Sequence, residues 1–371
     1  MTRIFCALVL ISAAATGCRT PSSPPPPPES AKVAPAAAVE QAQAVEAPPP
    51  FDRSLLAIFQ SVPVAKREDP PELVELGRML YFDTRLSKNH DLSCNSCHDV
   101  AAYGVDGKQF SPGHRGQLGG RNSPTVYDAE HHVAQFWDGR AKDLEEQAQG
   151  PVMNPVEMAM PDEKRVVATL RSIPEYAQRF AKLFPVKGKA DPVSLANAAR
   201  AIAAFERTLV TTSRFDRFVA GDDSALTEAE RRGLQTFAET GCTACHSGRN
   251  LGGQTFMKLG LVKEWPQAGE KADLGRYDVT KEEHDRGVFR VAPLRNVAKT
   301  GPWFHDGAET DLRNAVKKMA EHQLGRVLGD AEAGDIVAFL GSLTGELPPA
   351  DVIAAPQLPP STKTTPKPDP T

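Results

Sequence analysis

The chain lacks a charge excess of either sign: 43 lysines and arginines stand against 47 aspartates and glutamates, a formal net charge of −4 over 371 residues. That balance leaves no electrostatic footprint for nucleic acid or for a membrane surface. Long hydrophobic runs are missing too, which excludes a polytopic membrane protein; the apolar run from Ile4 to Ala15 is too short to span a bilayer comfortably. Proline is scarce in the interior, since 10 of the 32 prolines lie between residues 19 and 50 and 8 lie between 346 and 371. Collagen-like and fully disordered classes are thereby excluded. The middle, Phe51 to Leu347, is long enough for two domains that each bury a core. Only six cysteines occur, Cys6, Cys18, Cys94, Cys97, Cys242 and Cys245. With Cys6 in a cleaved leader and the last four occupied as pairs, no structural disulfide is expected.

The ends read as targeting and linker sequence. Residues 1–18 carry Arg3, then the apolar run, then small residues before a cysteine, the pattern of a secretion signal. Ala15-Thr16-Gly17-Cys18 resembles a bacterial lipobox, in which Cys18 is diacylated and becomes the mature N-terminus; Ala15 stands where that pattern prefers Leu, and ordinary cleavage after Ala13-Ala14-Ala15 is the alternative. A periplasmic location, lipid-anchored to a bacterial membrane, is the expectation. Residues 19–50, with five consecutive prolines at Pro24–Pro28, cannot bury a core and read as a semi-rigid spacer. At ~3.1 Å per residue it reaches at most about 100 Å. Residues 348–371 read as a Pro-rich disordered tail without function.

Between these ends the pattern predicts a mainly α protein. Asp69-Pro70-Pro71-Glu72 offers a cap, a first-turn proline and an N3 glutamate ahead of Leu73, Leu76 and Leu80 on one helical face. Ser172-Ile173-Pro174-Glu175 and Thr227-Glu228-Ala229-Glu230 repeat that logic, and Asp191-Pro192 opens a helix whose Leu195, Ala198, Ile202, Phe205 and Leu209 recur at spacings of three and four. A degenerate repeat is also present: Phe136-Trp137-Asp138-Gly139 followed by Asp143-Leu144 matches Phe304-His305-Asp306-Gly307 followed by Asp311-Leu312. Two copies of one unit, 51–215 and 216–347, are the simplest account.

Each unit holds one Cys-x-x-Cys-His sequence, Cys94-Asn95-Ser96-Cys97-His98 and Cys242-Thr243-Ala244-Cys245-His246. This is the attachment pattern of c-type haem: two thiols on one side of a helical turn form thioethers, and the adjacent histidine reaches the iron. Two covalent haems are expected. A single zinc site made by all four cysteines, which would leave both histidines idle, and a redox dithiol are the alternatives. The two haems would differ in the sixth ligand, because a thioether favours ferrous iron, an imidazole gives a lower potential, and an open position admits small molecules.

From Leu73 to Leu343 the chain resembles the bacterial di-haem cytochrome c peroxidases, on both haem motifs and on Gly77-Arg78-Met79-Leu80-Tyr81-Phe82-Asp83, Ala134-Gln135-Phe136-Trp137-Asp138-Gly139-Arg140-Ala141 and Val288-Phe289-Arg290 with Pro293-Leu294-Arg295-Asn296. The resemblance implies two cytochrome c-like helical domains, with active sites near their interface. It makes the haem at His98 the low-potential peroxidatic centre and His114 its displaceable distal ligand. The glycines around it, Gly113, Gly116, Gly119 and Gly120, suit a loop that swings. Glu157 matches the distal acid that shuttles a proton during peroxide cleavage; Gln147 and Phe136 match its pocket neighbours, and Trp137 the tryptophan between the haems. Met319 matches the sixth ligand of the high-potential haem at His246, with Met257 the nearest competitor. A calcium ion is implied at the Asn122 side chain and the Thr300 and Pro302 carbonyls, and a homodimer is implied as well.

The function so implied is reduction of hydrogen peroxide to water, with single electrons from a small periplasmic cytochrome c or cupredoxin. An electron at the second haem would release His114 from the first. A related branch oxidises a partner protein to mature its cofactor and has tyrosine in place of the methionine ligand; here the last tyrosine is Tyr277, far in sequence from position 319. A plain electron-transfer or sensor cytochrome is the third class, and it would need no distal acid.

Overall fold

The computed structural model describes residues 51–60, 69–188, 190–266 and 272–371. The leader with Cys18 and the spacer lie outside the described residues. The helices that build the fold are α1 (Pro71–Phe82), α2 (Leu144–Met153), α3 (Glu163–Arg171), α4 (Pro174–Leu183), α5 (Leu195–Glu206), α6 (Arg214–Val219), α7 (Glu228–Thr240), α8 (Leu312–Leu324) and α9 (Asp330–Ser342). The strands β1 (Thr212–Ser213), β2 (Phe256–Lys258), β3 (Val288–Arg290) and β4 (Gly345–Glu346) make two short antiparallel pairs, β1 with β4 and β2 with β3. The protein is mainly α, with long loops between the helices.

Two hydrophobic cores form. One gathers Leu76 and Leu80 of α1, Phe180 of α4, and Ala201 and Phe205 of α5. The other gathers Phe215 and Phe218 of α6, Leu234 and Phe237 of α7, and Ile336 and Phe339 of α9. Burying each of these large side chains contributes about 1.5–3 kcal/mol. Both cores use the same crossing. Where α1 meets α5, a Cβ on Gly77 would lie 1.8 Å from the Ala201 carbonyl oxygen; where α7 meets α9, a Cβ on Gly233 would lie 1.8 Å from the Asp335 carbonyl oxygen. Phe205 and Phe339, each four residues further along its helix, pack beside those glycines. The two cores thus share a close helix crossing that only glycine allows.

Several helix starts differ from the sequence expectation. Thr227 forms the expected reciprocal cap with Glu230, its backbone amide 2.8 Å from the Glu230 carboxylate. Asp69 does not cap α1, because Pro70 takes that position and Asp69 pairs instead with Arg207 at 3.1 Å. Ser172 ends α3 rather than starting α4, and α5 opens three residues late, with Ser194 accepting from the Asn197 amide while Asp191 closes the preceding turn on Val193. In each case a nearer acceptor or a proline displaced the residue from its capping role.

The chain ends cross between the cores. Leu56 and Phe59 belong to the second core, whereas Leu347, Val352, Ile353 and Leu358 pack against the first. The boundary expected at 215 falls inside α6, whose Phe215 is wholly in the second core. The tail expected to be disordered is a docked strap. The Arg78 guanidinium donates to the Asp351 and Ala354 carbonyls, Arg85 to the Pro359 carbonyl, Thr362 to the Ser172 carbonyl, and the Asp369 amide to the Lys88 carbonyl. Apart from one helical turn, Ala350–Ile353, the proline-rich segment has few amides to satisfy but keeps its carbonyls free, so arginines of the first domain can hold it. A further tie joins the halves, since Asn296 donates to Thr211, which donates to Asp128; within the second half, Arg295 makes a buried double hydrogen bond to Asp216 at 2.7 and 2.9 Å.

Candidate active site

Each Cys-x-x-Cys-His sequence forms one tight turn and opens onto its own cavity. Cys94, Cys97 and His98 line the first, about 550 Å³ in volume; Cys242, Cys245 and His246 line the second. The Nδ1 atom of His98 lies 2.9 Å from the Pro124 carbonyl oxygen, and that of His246 lies 3.0 Å from the Leu251 carbonyl oxygen. A carbonyl only accepts, so Nδ1 carries the hydrogen in both rings and Nε2 keeps its lone pair for a metal. Burial pushes both imidazoles down, which keeps them neutral, the form that ligates. Burial likewise pushes all four thiols up, Cys242 to about 12.

These facts decide among the sequence alternatives. The two cysteine pairs line different cavities, so they do not share a zinc ion. Half-buried thiols held protonated make a poor redox dithiol. A cavity lined by two thiols and a neutral histidine of fixed tautomer fits a covalently held haem, and the protein has two of them.

Around the first cavity the structure gathers Glu157, Gln147, Phe136, Val156 and Met158. Gln147 projects from α2, which Asp143 caps by accepting from the Glu146 amide. Glu157 sits in the loop after α2, half-buried. Burial pushes its carboxyl up, while the Arg140 guanidinium and an Asn154 amide 2.8 Å from Oε1 pull it back down. Arg140 itself lies over the Phe136 ring at 3.4 Å and contacts Asp138 at 3.1 Å.

His114 does not line this cavity, although its neighbour Gly113 does. Its imidazole is buried, with Nε2 lacking a partner, and its backbone amide bonds the Val156 and Glu157 carbonyls at 2.9 and 2.8 Å. The His114 loop is therefore pinned to the Glu157 loop. Gly113 serves that contact rather than loop freedom, because a Cβ there would lie 2.0 Å from the Val156 carbonyl oxygen. Gly116, by contrast, has open space and a φ of +72°, as a turn requires.

Trp137 lines both cavities and so forms part of their common wall. Its indole N–H donates to the Asn122 carbonyl at 2.8 Å, which fixes the ring. In the second cavity Met319 of α8 and Met257 of β2 are both present, and no tyrosine lines it among the described residues. Asn122 commits its side-chain amide nitrogen to the Lys108 and Gln109 carbonyls, and its backbone amide donates to the His305 carbonyl. That bond holds Asn122 against the segment that follows Thr300 and Pro302, with its side-chain oxygen accepting no protein hydrogen bond among the described residues.

Sequence reasoning passed over two lining residues. Arg290 of β3 lines both cavities from a fully buried position. It lies in a stretch that carried the family resemblance, yet nothing in its spacing marked a role. Glu206 ends α5, lines the first cavity and has a buried Oε2 without a partner; burial pushes its carboxyl up to about 8. Only its place at the end of an apolar helical face could have signalled it.

Comparison with known proteins agrees with this geometry. Residues 71–224 match the family model described as di-haem cytochrome c peroxidase. The cytochrome c551 peroxidase of Pseudomonas aeruginosa is 52% identical over 79% of this chain and 84% of its own, and that of Nitrosomonas europaea is 44% identical over 85% and 96%. Among solved structures, a MauG-like protein associated with microbial copper homeostasis superposes with a TM-score of 0.67 at 30% identity, covering 80% of this chain and 94% of its own. With both haem-attachment turns, their separate cavities and this extent of similarity in hand, the chain belongs to the di-haem cytochrome c peroxidase family.

Proposed function

We propose that this protein reduces hydrogen peroxide to water in the periplasm, drawing two electrons singly from a small cytochrome c or cupredoxin. The observation that carries the reading is the first cavity: a haem-attachment turn faced by a half-buried carboxyl, Glu157, whose burial and cationic neighbour oppose each other. When bound, the two haems supply the electron storage and the iron that peroxide needs. The chain supplies the rest. His98 and His246 hold their imidazoles in the ligating tautomer. Glu157 takes a proton from one peroxide oxygen and returns it to the oxygen that leaves, so that with two electrons and two protons both oxygens end as water. Gln147 and Phe136 bound the pocket in which peroxide is oriented. Trp137, clamped by Asn122, offers its indole between the two cavities.

His114 in this reading caps the first centre in the resting enzyme and moves away once an electron has reached the second, a gate that limits stray oxidation. The orphaned Nε2 of His114 supports a ligand role; the bonds that pin its backbone to the Glu157 loop belong to an arrangement in which it does not line the cavity, so they would have to break for it to cap the first centre. Met319 serves as sixth ligand at the second centre. The absence of tyrosine from that cavity's described lining supports peroxide reduction over partner oxidation. Calcium is held by the Asn122 oxygen with the Thr300 and Pro302 carbonyls, and the working form is a homodimer. No described helix is long and apolar enough to cross a membrane; attachment is through lipid on Cys18.

The test is peroxide consumption by haem-loaded protein with a reduced small cytochrome as donor, started either fully oxidised or reduced by one electron. Fast turnover only after pre-reduction is the expected result. Fast turnover from both states would remove the gate, and negligible turnover from both with a long-lived oxidised species would overturn the peroxidase reading in favour of partner oxidation.

A further inference from the structure

We infer that Arg290 is the counter-ion of a haem propionate, held in the wall that the two cavities share. Arg290 is 3% exposed. Its backbone amide donates to the Trp137 carbonyl at 2.8 Å and its Nε to the Phe136 carbonyl at 3.3 Å, so the side chain is fixed beside the tryptophan. Its Nη1 is buried and bonds nothing among the described residues. Other arginines of the interior do have acids: the buried Arg295 holds Asp216, and the largely buried Arg121 holds Asp138 and Asp273. Among the described residues no carboxylate pairs with Arg290, and burial pulls its guanidinium down to about 10. Burial of the His132 imidazole, with the Arg290 charge adding to it, pushes that group well down, so His132 remains neutral and offers no compensation.

Burying a guanidinium without an anion is strongly unfavourable, and a carboxylate brought from outside the chain would offset that cost. Each haem brings two carboxylates on flexible propionate arms. A carboxylate is the ligand that a planar guanidinium fork binds best, and Arg290 lines both cavities in which such a carboxylate would arrive. Pairing with a propionate cancels its negative charge near the iron and so raises that haem's reduction potential. The inference rests on haem occupancy and not on the peroxide reading.

The experiment uses the holoenzyme. The midpoint potentials of both haems are measured by spectroelectrochemical titration in wild type, Arg290→Gln and Arg290→Lys, alongside a structure of the wild-type holoenzyme. The expected result is a fall of at least tenfold in the reduction constant of one haem in Arg290→Gln, equivalent to 59 mV for a one-electron couple. A smaller fall is expected in Arg290→Lys, which keeps the charge and loses the fork. The haem that responds is the one whose propionate is held. A change below tenfold at both haems in Arg290→Gln overturns the inference. If the variants fail to take up haem, the wild-type structure decides: Nη1 in hydrogen-bond contact with a propionate oxygen supports it, and a separation beyond ~4 Å, outside hydrogen-bonding reach, sinks it. A protein that carries both haems yet consumes no peroxide would refute the proposed activity and leave this test intact.

Discussion

Replacing Glu206 by Gln should remove a pH dependence from the stability of the first domain. The carboxyl ends α5 inside the first cavity, fully buried, with Oε2 bonding nothing among the described residues, and burial pushes it up to about 8 against an ordinary value of 4.5; Arg207 draws it down only in part, and Glu130 pushes it further up. The folded-state value thus lies above the unfolded one. The stability associated with the protonated carboxyl is complete below about pH 4.5 and is lost progressively as pH rises through 8. At 1.36 kcal/mol per unit, wild type should lose about 3–4 kcal/mol between pH 5 and 8 through this group alone. Gln has nearly the same shape and does not titrate. Wild type and Glu206→Gln should therefore unfold alike at pH 5, while at pH 8 the variant should unfold ~10 °C higher, taking roughly 2–4 °C per kcal/mol for a domain of this size. Calorimetry or urea unfolding of the haem-loaded protein at both pH values measures the difference. Parallel stability profiles for the two proteins would show that water or another partner solvates the carboxyl, and the reasoning from burial would be wrong.

Substituting His114 by Gly should make the fully oxidised enzyme react with peroxide without pre-reduction, seen as the loss of a lag in turnover; an unchanged lag would remove His114 from the gate. Gly113→Ala should disturb the same gate, because its Cβ would collide with the Val156 carbonyl oxygen at 2.0 Å and part the His114 loop from the Glu157 loop, destabilising the arrangement in which His114 is off the cavity; the low-potential haem's absorption spectrum reports the change in ligation, and an unchanged spectrum and lag would separate this contact from the gate. Met319→Ala should lower the potential of the second haem by well over 100 mV, on the general expectation that a thioether ligand raises it. Met257→Ala should leave it nearly unchanged, and the opposite outcome would transfer the ligand role to Met257. Deleting residues 348–371 should destabilise the first domain by about 2–4 kcal/mol, from lost burial of Val352, Ile353 and Leu358, without shifting the second haem's spectrum; unchanged unfolding would show that the strap contributes nothing in solution.

Much of this was legible before any coordinates. The two Cys-x-x-Cys-His turns could be read because their chemistry depends on neighbours in sequence: two thiols and a histidine within five residues face one way whatever surrounds them. The helical class was legible for the same reason, since the apolar spacing along α1 and α5 is a local signal of which face will be buried. Capping was only partly legible. Thr227 and Glu230 satisfy each other within four residues, whereas Asp69 was taken by Arg207, a partner 138 residues away.

What only the tertiary structure decided has one physical origin, namely that burial and pairing belong to groups distant in the chain. The last residues look disordered by composition because they lack periodicity, yet arginines of the first domain hold their carbonyls. Gly77 and Gly233 read as ordinary helical glycines until the crossing partners, 124 and 102 residues onward, come within contact distance. Arg290 and Glu206 are one arginine among many and one glutamate among many in the sequence. Enclosure in the cavity walls, without a counter-charge for the one or a hydrogen-bond partner for an oxygen of the other among the described residues, gives them their chemistry.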